Sequence, residues 1–543
     1  MVKNLLSLLS ARQTSILSGA SILMLTVLAS KFLGLIRDRL LAYTYTPDTT
    51  AIFLASFRIP DLIFQLLIFG ALSVAFIPIF TEYVEQKGQK EAFNFASDTL
   101  NVFLCAFLLI NVLVFIFISP LTKLVVPGFS EHQQLLTAQL TQVILFGQIL
   151  LAIGSFFAGM AQSYQRFIIP SLAGVFYNLG VIIGIVLLTP FLGIYGPALG
   201  VVIGAALHVL IQLPLINSLG FRHSLRFDPF DKGVLEIIRL MSLRTVGLAV
   251  EQINETVGVI LASVVSTASV TYLTFAQHLQ MVPVGLFGAT MAQAALPILA
   301  QARSKKDHVT FNAILLTTLH QILFLTIPLT AILIVLRIPV VRLVFGASQF
   351  NWEATVLTGR TLAFLATGLT AQSLSLLLIR GFYALKDTKT PVIASIVTVG
   401  INIVLSYLFV TVFHWEVWSL GLAYSIATNL SFVMLLYFLS RKVGGFDLSD
   451  VFVPAGKVLF AATIAAISLY MPIKALDKLV FDTTKTVNLL ILTGIASTIG
   501  LTIYGVLVWS MKVKELYTFG NLVKKLYQLR TKVKTEEMVD QSA

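Results

Sequence analysis

Four nitrogen-bearing side chains stand in stretches otherwise apolar enough for a bilayer. Lys31 and Arg37 lie in "SKFLGLIRDRLL" (30–41), with only Asp38 to offset them and the neighbouring Arg39, and Arg58 lies in "FRIPDL" (57–62). His278 follows Gln277 in "TYLTFAQHLQMVPVGLFGATMAQAALPIL" (271–299). Placing a charge at the centre of a membrane helix costs about 2.5–3.5 kcal/mol on insertion scales, so such residues usually face a cavity or a partner. Guanidinium and ammonium groups pair well with phosphate, which makes these positions candidates for binding an anion. A second group is acidic or amide. At 100° per residue, Glu251, Asn254, Glu255 and Gly258 share one helical stripe, and Asn402 and Ser406 stand one turn apart. Glu251, Glu255 and Asn402 are candidates for ion or proton coupling. Plainer roles exist for several of these residues. Arg37 and Arg39 can snorkel to the interface, Arg58 and Asp61 can form an ion pair at a helix end, and His278 can be a hydrogen-bonded core histidine.

The elements that must hold these residues are membrane helices. Of 543 residues, 57% are hydrophobic and 11% charged, and mean hydropathy is +0.91; soluble domains carry roughly 25% charged residues. Runs such as "FLCAFLLINVLVFIFIS" (103–119) do not alternate apolar with polar, which excludes a β-barrel. Windows of about 20 apolar residues give about fourteen spans, an all-α polytopic architecture. The net charge of +12 lies in short loops and the C-terminal tail, a membrane-topology pattern and not a nucleic-acid surface. Cys105 is the single cysteine, so neither a disulfide nor a cysteine-based metal site is expected. No G-x-x-x-x-G-K-[ST] loop and no H-E-x-x-H motif occurs. The expectation is a transporter without its own nucleotide hydrolysis, with no cofactor and no metal site, and not an enzyme.

A weak internal repeat organises the spans. "AIFLASFRIPDLIFQLLIFGALSVAFIPIF" (51–80) resembles 271–299. Each has a basic or polar residue (Arg58, His278), a proline soon after it (Pro60, Pro283), a Phe-Gly-Ala, and a proline near its end (Pro78, Pro297). The reading is a six-helix lobe over 1–217, an amphipathic cytoplasmic linker over 218–240 lying along the membrane, and a second six-helix lobe over 241–440. Two further helices occupy 441–511, and a basic cytoplasmic tail covers 512–543. Repeated bundles of this kind commonly bind substrate near the repeat interface. Lys and Arg are biased roughly three to one toward the side of the N-terminus, which places both termini in the cytoplasm.

With these stretches in order, the sequence resembles the MurJ/MviN lipid II flippases, a branch of the multidrug/oligosaccharidyl-lipid/polysaccharide exporter superfamily. The resemblance rests on "SKFLGLIRDRLLA" (30–42), "FRIPDL" (57–62), "GALSVAFIPIFTEY" (70–83), "VPGF" (126–129), "QRFIIP" (165–170) and "GFYALKDTKTPV" (381–392), and it extends over about residues 15–510. It implies alternating access that carries a lipid-linked disaccharide-pentapeptide to the outer leaflet of the bacterial cytoplasmic membrane. A pyrophosphate head group would bind among Lys31, Arg37, Arg58, Gln277 and His278, and the lipid tail would ride beside helices 13 and 14. Membrane lipids and cell-wall synthesis proteins are the implied partners, with no nucleic acid.

The chain also departs from the family. Phe64, Gln65 and Phe69 stand where an Arg-Arg pair and a Glu are usual, and Ala51 replaces an Asp. Gln277 and His278 replace an Asp-Arg pair, and Gly258 and Ser406 stand where carboxylates would hold sodium in some members. Two alternatives stay open on these residues: a flippase for another polyprenyl-pyrophosphate-linked glycan, or a non-transporting scaffold homologue in envelope assembly. A cation-coupled drug exporter fits least, because its cavity should favour acids. For the topology, green fluorescent protein fused after Ala543 is expected to fluoresce in bacterial cells, and alkaline phosphatase fused there to stay inactive. An active phosphatase would invert the assignment.

Overall fold

The structure, a computed structural model, describes residues 16–70, 72–445, 448–479 and 486–518. Of the tail expected over 512–543, the part from 519 onward lies outside the described residues. The described chain is helical and turn-connected, with one isolated β-bridge between Ala347 and Phe350. In chain order the long elements are α1 (Ile16–Thr44), α2 (Pro47–Phe69), α3 (Gln89–Ile116), α4 (Glu131–Ser163), α5 (Ile168–Leu192), α6 (Tyr195–Ser218) and α7 (Lys232–Val265). They continue with α8 (Thr267–Ser304), α9 (His308–Val335), the bent pair α10 (Trp352–Ala366 and Leu369–Ala384), α11 (Lys389–Val412), α12 (Trp418–Lys442), α13 (Leu448–Leu479) and α14 (Thr486–Ser510). Twelve helices among the described residues are long and apolar enough to cross a membrane, or thirteen if α10, bent by 43°, counts as one span. The 29-residue α1 holds the first expected crossing. Over the expected linker, residues 221–228 are not helical, and α7 begins at Lys232, inside the stretch assigned to the linker.

The chain packs as two compact units. One comprises the described chain up to His278 together with Val344–Thr361 and Ser395–Ala423. Its core is rich in phenylalanine: Phe76 stacks on Phe80 at 5.4 Å and meets Phe156 edge-on at 5.4 Å, and Phe107 is fully buried nearby. Lipid offers no hydrophobic drive between helices, so contact depends on close van der Waals fit and small residues. α5 and α6 illustrate this. A Cβ on Gly180 would stand 2.2 Å from the Gly204 Cα, and a Cβ on Gly204 would stand 2.3 Å from the Tyr177 carbonyl oxygen.

The other unit comprises Leu279–Leu343, Leu362–Ala394 and the described chain from Tyr424. Leu315, Leu319, Leu377, Leu378 and Leu439 form its main core. A smaller cluster joins α9, α13 and α14 around Val458, Ala461 and Tyr504, whose hydroxyl donates to the Phe324 carbonyl at 2.8 Å. The "GFYALKDTKTPV" stretch forms a helix-to-helix knot here. Asp387 accepts from the Lys389 and Thr390 amides, capping α11, and from Lys442 at the end of α12. Burial works to raise this carboxyl's pKa, but hydrogen bonds from Lys442 and Thr390 outweigh it and hold the group at about 2.

The backbone itself repeats. Positive φ occurs at Gly88 and Lys306, Gln165 and Lys386, Gly193 and His414, and Gly220 and Gly444, each pair separated by about 220 residues, as in transporters built from two related halves. At Gln165, Lys306 and Lys386 the same two bonds close the preceding helix, for example Lys386 N–H to the Tyr383 carbonyl and Asp387 N–H to the Phe382 carbonyl. This is a left-handed helix stop made without glycine. The π-helical turns recur as well: Gln65–Phe69 ends at the phenylalanine of one Phe-Gly pair and Val284–Ala289 holds the other, and Gly184–Leu188 matches Leu408–Val412. Pro283 directly precedes Val284–Ala289, and Pro60 lies upstream of Gln65–Phe69. Proline removes a helical donor, and a wider turn absorbs the misfit.

Gly180→Leu should lower the melting temperature of detergent-purified protein, because backbone fills the space; overpacking costs about 1–3 kcal/mol. Gly247→Ala, where a Cβ meets nothing within 4 Å, should leave it unchanged. Equal melting of both variants would contradict the packing argument.

Candidate functional site

All the polar residues singled out above, from Lys31 to Ser406, fall within the first unit. The structure groups them into three clusters. The first is centred on a residue that composition and spacing did not single out. Asp38 of α1 has a side chain only 2% exposed, and both of its oxygens are engaged. Arg37 donates to Oδ1 through Nη2 at 2.7 Å and Nε at 3.0 Å. His278 Nδ1 of α8 lies 2.7 Å from Oδ2. Asn178 of α5 braces the arginine from behind. Its Oδ1 is 3.5 Å from Arg37 Nη1, while its Nδ2 donates to the Ser30 carbonyl and hydroxyl oxygens and to the Gly174 carbonyl. Ser30, Gly34 and Arg37 share one face of α1 at 100° per residue, and this is the face that meets α5: a Cβ on Gly34 would stand 3.9 Å from Asn178 Oδ1.

The second cluster joins α2 to α7. Arg58 Nη1 donates to Glu255 Oε2 at 2.7 Å, and Nη2 lies 3.6 Å from Asp61 Oδ2. Asp61 is held in turn by Gln148 Nε2 of α4 at 2.8 Å. The plainer reading of Arg58 and Asp61 as an ion pair thus describes half of this arrangement, and Glu255 supplies the other half. The third cluster is neutral: Asn402 Nδ2 of α11 donates to Asn254 Oδ1 of α7 at 2.7 Å, and Ser406 Oγ lies 3.4 Å from Asn402 Oδ1.

Other expected residues stay apart from these clusters. Lys31 is exposed, and Glu251 is exposed on α7 one turn from Glu255. The Gln277 side chain is half-buried and makes no hydrogen bond among the described residues, although that of its neighbour His278 does. Arg39 donates to the Val344 carbonyl at 3.1 Å.

Chemically, the site is a set of cations held on a short leash. Each arginine already has a carboxylate partner, so an incoming anion competes with Asp38 or Glu255 instead of meeting a bare charge. His278 adds a positive charge only when protonated. No group of three or more His, Cys, Asp or Glu residues with metal-binding geometry occurs among the described residues. Asp38, Asn178 and Gln148 were hard to find from sequence. In the sequence Asp38 stands only as an offsetting charge: neighbouring residues point about 100° apart on a helix, so periodicity does not pair it with Arg37, and the pairing comes from the long arginine side chain folding back to it. The two amides carry no charge to mark them within apolar helices.

Asp38→Ala should destabilise the folded protein by about 3 kcal/mol, the cost of breaking one side of a buried pair. The Arg37→Ala/Asp38→Ala double variant should recover part of that loss. Thermal unfolding of the parent, Arg37→Ala, Asp38→Ala and the double variant in one detergent checks this, and purely additive effects would refute the pairing.

The comparisons with known proteins agree with this architecture. The family profile described as lipid II flippase MurJ matches residues 43–490. A probable lipid II flippase MurJ of Buchnera aphidicola subsp. Baizongia pistaciae is 26% identical over 470 residues, spanning 84% of this chain and 90% of the relative. A probable lipid II flippase MurJ of Rhizobium meliloti is 28% identical over 523 residues, spanning 93% and 94%. A solved structure of lipid II flippase MurJ in an inward closed conformation superimposes with a TM-score of 0.74 at 24% identity, covering 90% of this chain and 99% of that one, and shows the shared fold. A family match over most of the length, together with an all-helical fold shared with a solved member, settles the relationship: the chain belongs to the lipid II flippase MurJ family.

Proposed function

We propose that this chain flips lipid II, receiving its pyrophosphate at Arg37 and Arg58 by exchange of ion-pair partners. The chain is a multi-pass inner-membrane protein and a transporter, not an enzyme. The observation that carries the reading is that Arg37 and Arg58 are each held by a carboxylate at 2.7 Å inside apolar helices. Such a pair can release its arginine to a stronger ligand. Pyrophosphate offers several oxygens and more than one negative charge, and guanidinium binds phosphate in a two-pronged geometry that a single carboxylate oxygen does not satisfy. Asn178 and Gln148 keep the clusters oriented during the exchange, and Lys31, Gln277 and His278 complete the head-group contacts.

Binding then has a consequence on the other side of each pair. When Arg58 turns to phosphate, Glu255 is left without its cation and needs another counter-charge, a proton or a metal ion. Glu251 one turn away and the Asn254–Asn402 pair line the same stretch of α7 and α11, so coupling enters there. The two six-helix lobes, 1–217 and 241–440, alternate access, and the lipid tail follows α13 and α14. Both termini face the cytoplasm, as the Lys/Arg bias requires. Cell-wall synthesis proteins would receive the product. The same exchange would serve another polyprenyl-pyrophosphate glycan, since nothing in it reads the sugar.

The test is replacement of the native lipid II flippase in a depleted bacterium by this chain, alone or as Arg37→Ala/Arg58→Ala. Survival and outer-face lipid II should return with the parent and be lost, at least tenfold, in an equally expressed double variant. A correctly inserted parent that fails to rescue would move the substrate to another lipid-linked glycan or the chain to a scaffolding role.

A further inference from the structure

The loop between α6 and α7 presents an apolar surface that substrate transfer does not use. Phe221 is buried in the phenylalanine core. Beyond it Leu225, Phe227 and Phe230 are 92%, 56% and 80% exposed. Leu235 and Ile238, in the first turns of α7, are exposed as well. Connecting loops that face water seldom carry so many large apolar side chains close together.

The loop is nevertheless fastened. Asn101 of α3 donates through Nδ2 to the Ser224 carbonyl at 2.8 Å and the Arg226 carbonyl at 2.6 Å. Its Oδ1 lies 2.8 Å from His223 Nε2. Arg226 Nε sits 3.4 Å from Asp98 Oδ2, one turn earlier on α3. The loop's own acids are turned to internal use: Asp228 accepts from the Phe230 amide, and Asp231 caps α7 through the Gly233 and Val234 amides.

The point of attachment fixes the depth. Asp98 is the last charged residue of α3, and from Val102 to Ile116 the helix is apolar apart from Asn111. Helical steps from Asn101 lead to Cys105, Leu108, Val112 and Ile116, all exposed, which is the lipid-facing stripe of the span. Asn101 therefore marks where that stripe meets the polar zone, and the loop is tied at this level. Lipid-exposed non-helical backbone cannot enter hydrocarbon, but side chains reaching from an interfacial loop can.

We propose that Leu225, Phe227 and Phe230 insert into the glycerol and upper acyl-chain region of the bilayer beside α3, forming an interfacial anchor whose depth is set by Asn101. The occupant is bilayer lipid, because the exposed patch continues the lipid-facing stripe of the helix that holds it. Arg222 and Lys232, exposed at the two ends of the loop, keep their charged heads in the headgroup layer.

Nitroxide labels at Leu225→Cys, Phe230→Cys and, as a water-exposed reference, Glu85→Cys test this in full-length Cys105→Ser protein in phosphatidylcholine vesicles. Collision with oxygen, relative to collision with a water-soluble nickel chelate, should be severalfold higher at 225 and 230 than at 85. A ratio equal to that at 85 would place the loop in water, and low access to both reagents would mean that protein covers it; either overturns the proposal. Adding Asn101→Ala, in protein that still runs as a single species in detergent, should drop the ratio at 225 toward the reference. An unchanged ratio would overturn the role of Asn101. These readouts do not depend on which lipid-linked glycan the chain carries.

Discussion

Burying a charge in an apolar helix bundle is the constraint from which the arrangement of the first unit follows. Lipid cannot solvate Arg37, and its position beside α5 denies it bulk water, so it needs a carboxylate, and Asp38 supplies one. A carboxylate so deeply placed needs both oxygens occupied, which brings His278 from α8 to the same group. The arginine's remaining donors need a fixed acceptor, which brings Asn178 and, behind it, Ser30. Arg58 follows the same logic with Glu255, Asp61 and Gln148. Each cluster thus ties together several helices through polar contacts, and in the buried Asp38 cluster removing one member would leave a charge or a dipole stranded in low dielectric.

Pairing of this kind also suits a transporter. A cation without a partner would bind an anionic head group strongly and give it up slowly. A cation that trades one anion for another exchanges with a smaller net change in energy, since a salt bridge is broken for each one formed. Under the proposed exchange, specificity would rest on geometry, the match of guanidinium to phosphate oxygens, more than on bulk charge. The neutral replacements in α2 and α8 are consistent with a site that works by exchange and not by surplus positive charge.

The positions of prolines, glycines and wide turns show how the helices are allowed to approach one another. Phe-Gly pairs lie at or within π-helical turns that recur at matched places, and Gly288 brings its backbone to within a side chain's breadth of Ser373. At Lys306 and Lys386 the helices stop in a left-handed turn held by paired backbone bonds. The fold repeats these backbone devices more faithfully than it repeats side chains, because a turn depends on local bonds and a side chain on its neighbours.

The all-helical, multi-span class was legible in the sequence because hydropathy and length are local quantities: a run of about 20 apolar residues has few alternatives to a spanning helix. The described residues hold twelve or thirteen qualifying helices against about fourteen expected, and α7 begins inside the expected linker. The internal repeat and the basic positions in the first and second helices were legible as local patterns too. Partners were not. That Arg37 turns to its own neighbour Asp38, that His278 completes the same carboxylate, that Glu255 and not Asp61 alone holds Arg58, and that Asn101 sets the level of the α6–α7 loop are relations between residues up to 240 positions apart. Helix rotation and side-chain reach decide them, and neither is written in periodicity. The sequence by itself determined that charges lie within membrane helices; only tertiary packing decided which opposite charge each one meets, because the bilayer penalises any charge left alone without specifying its partner.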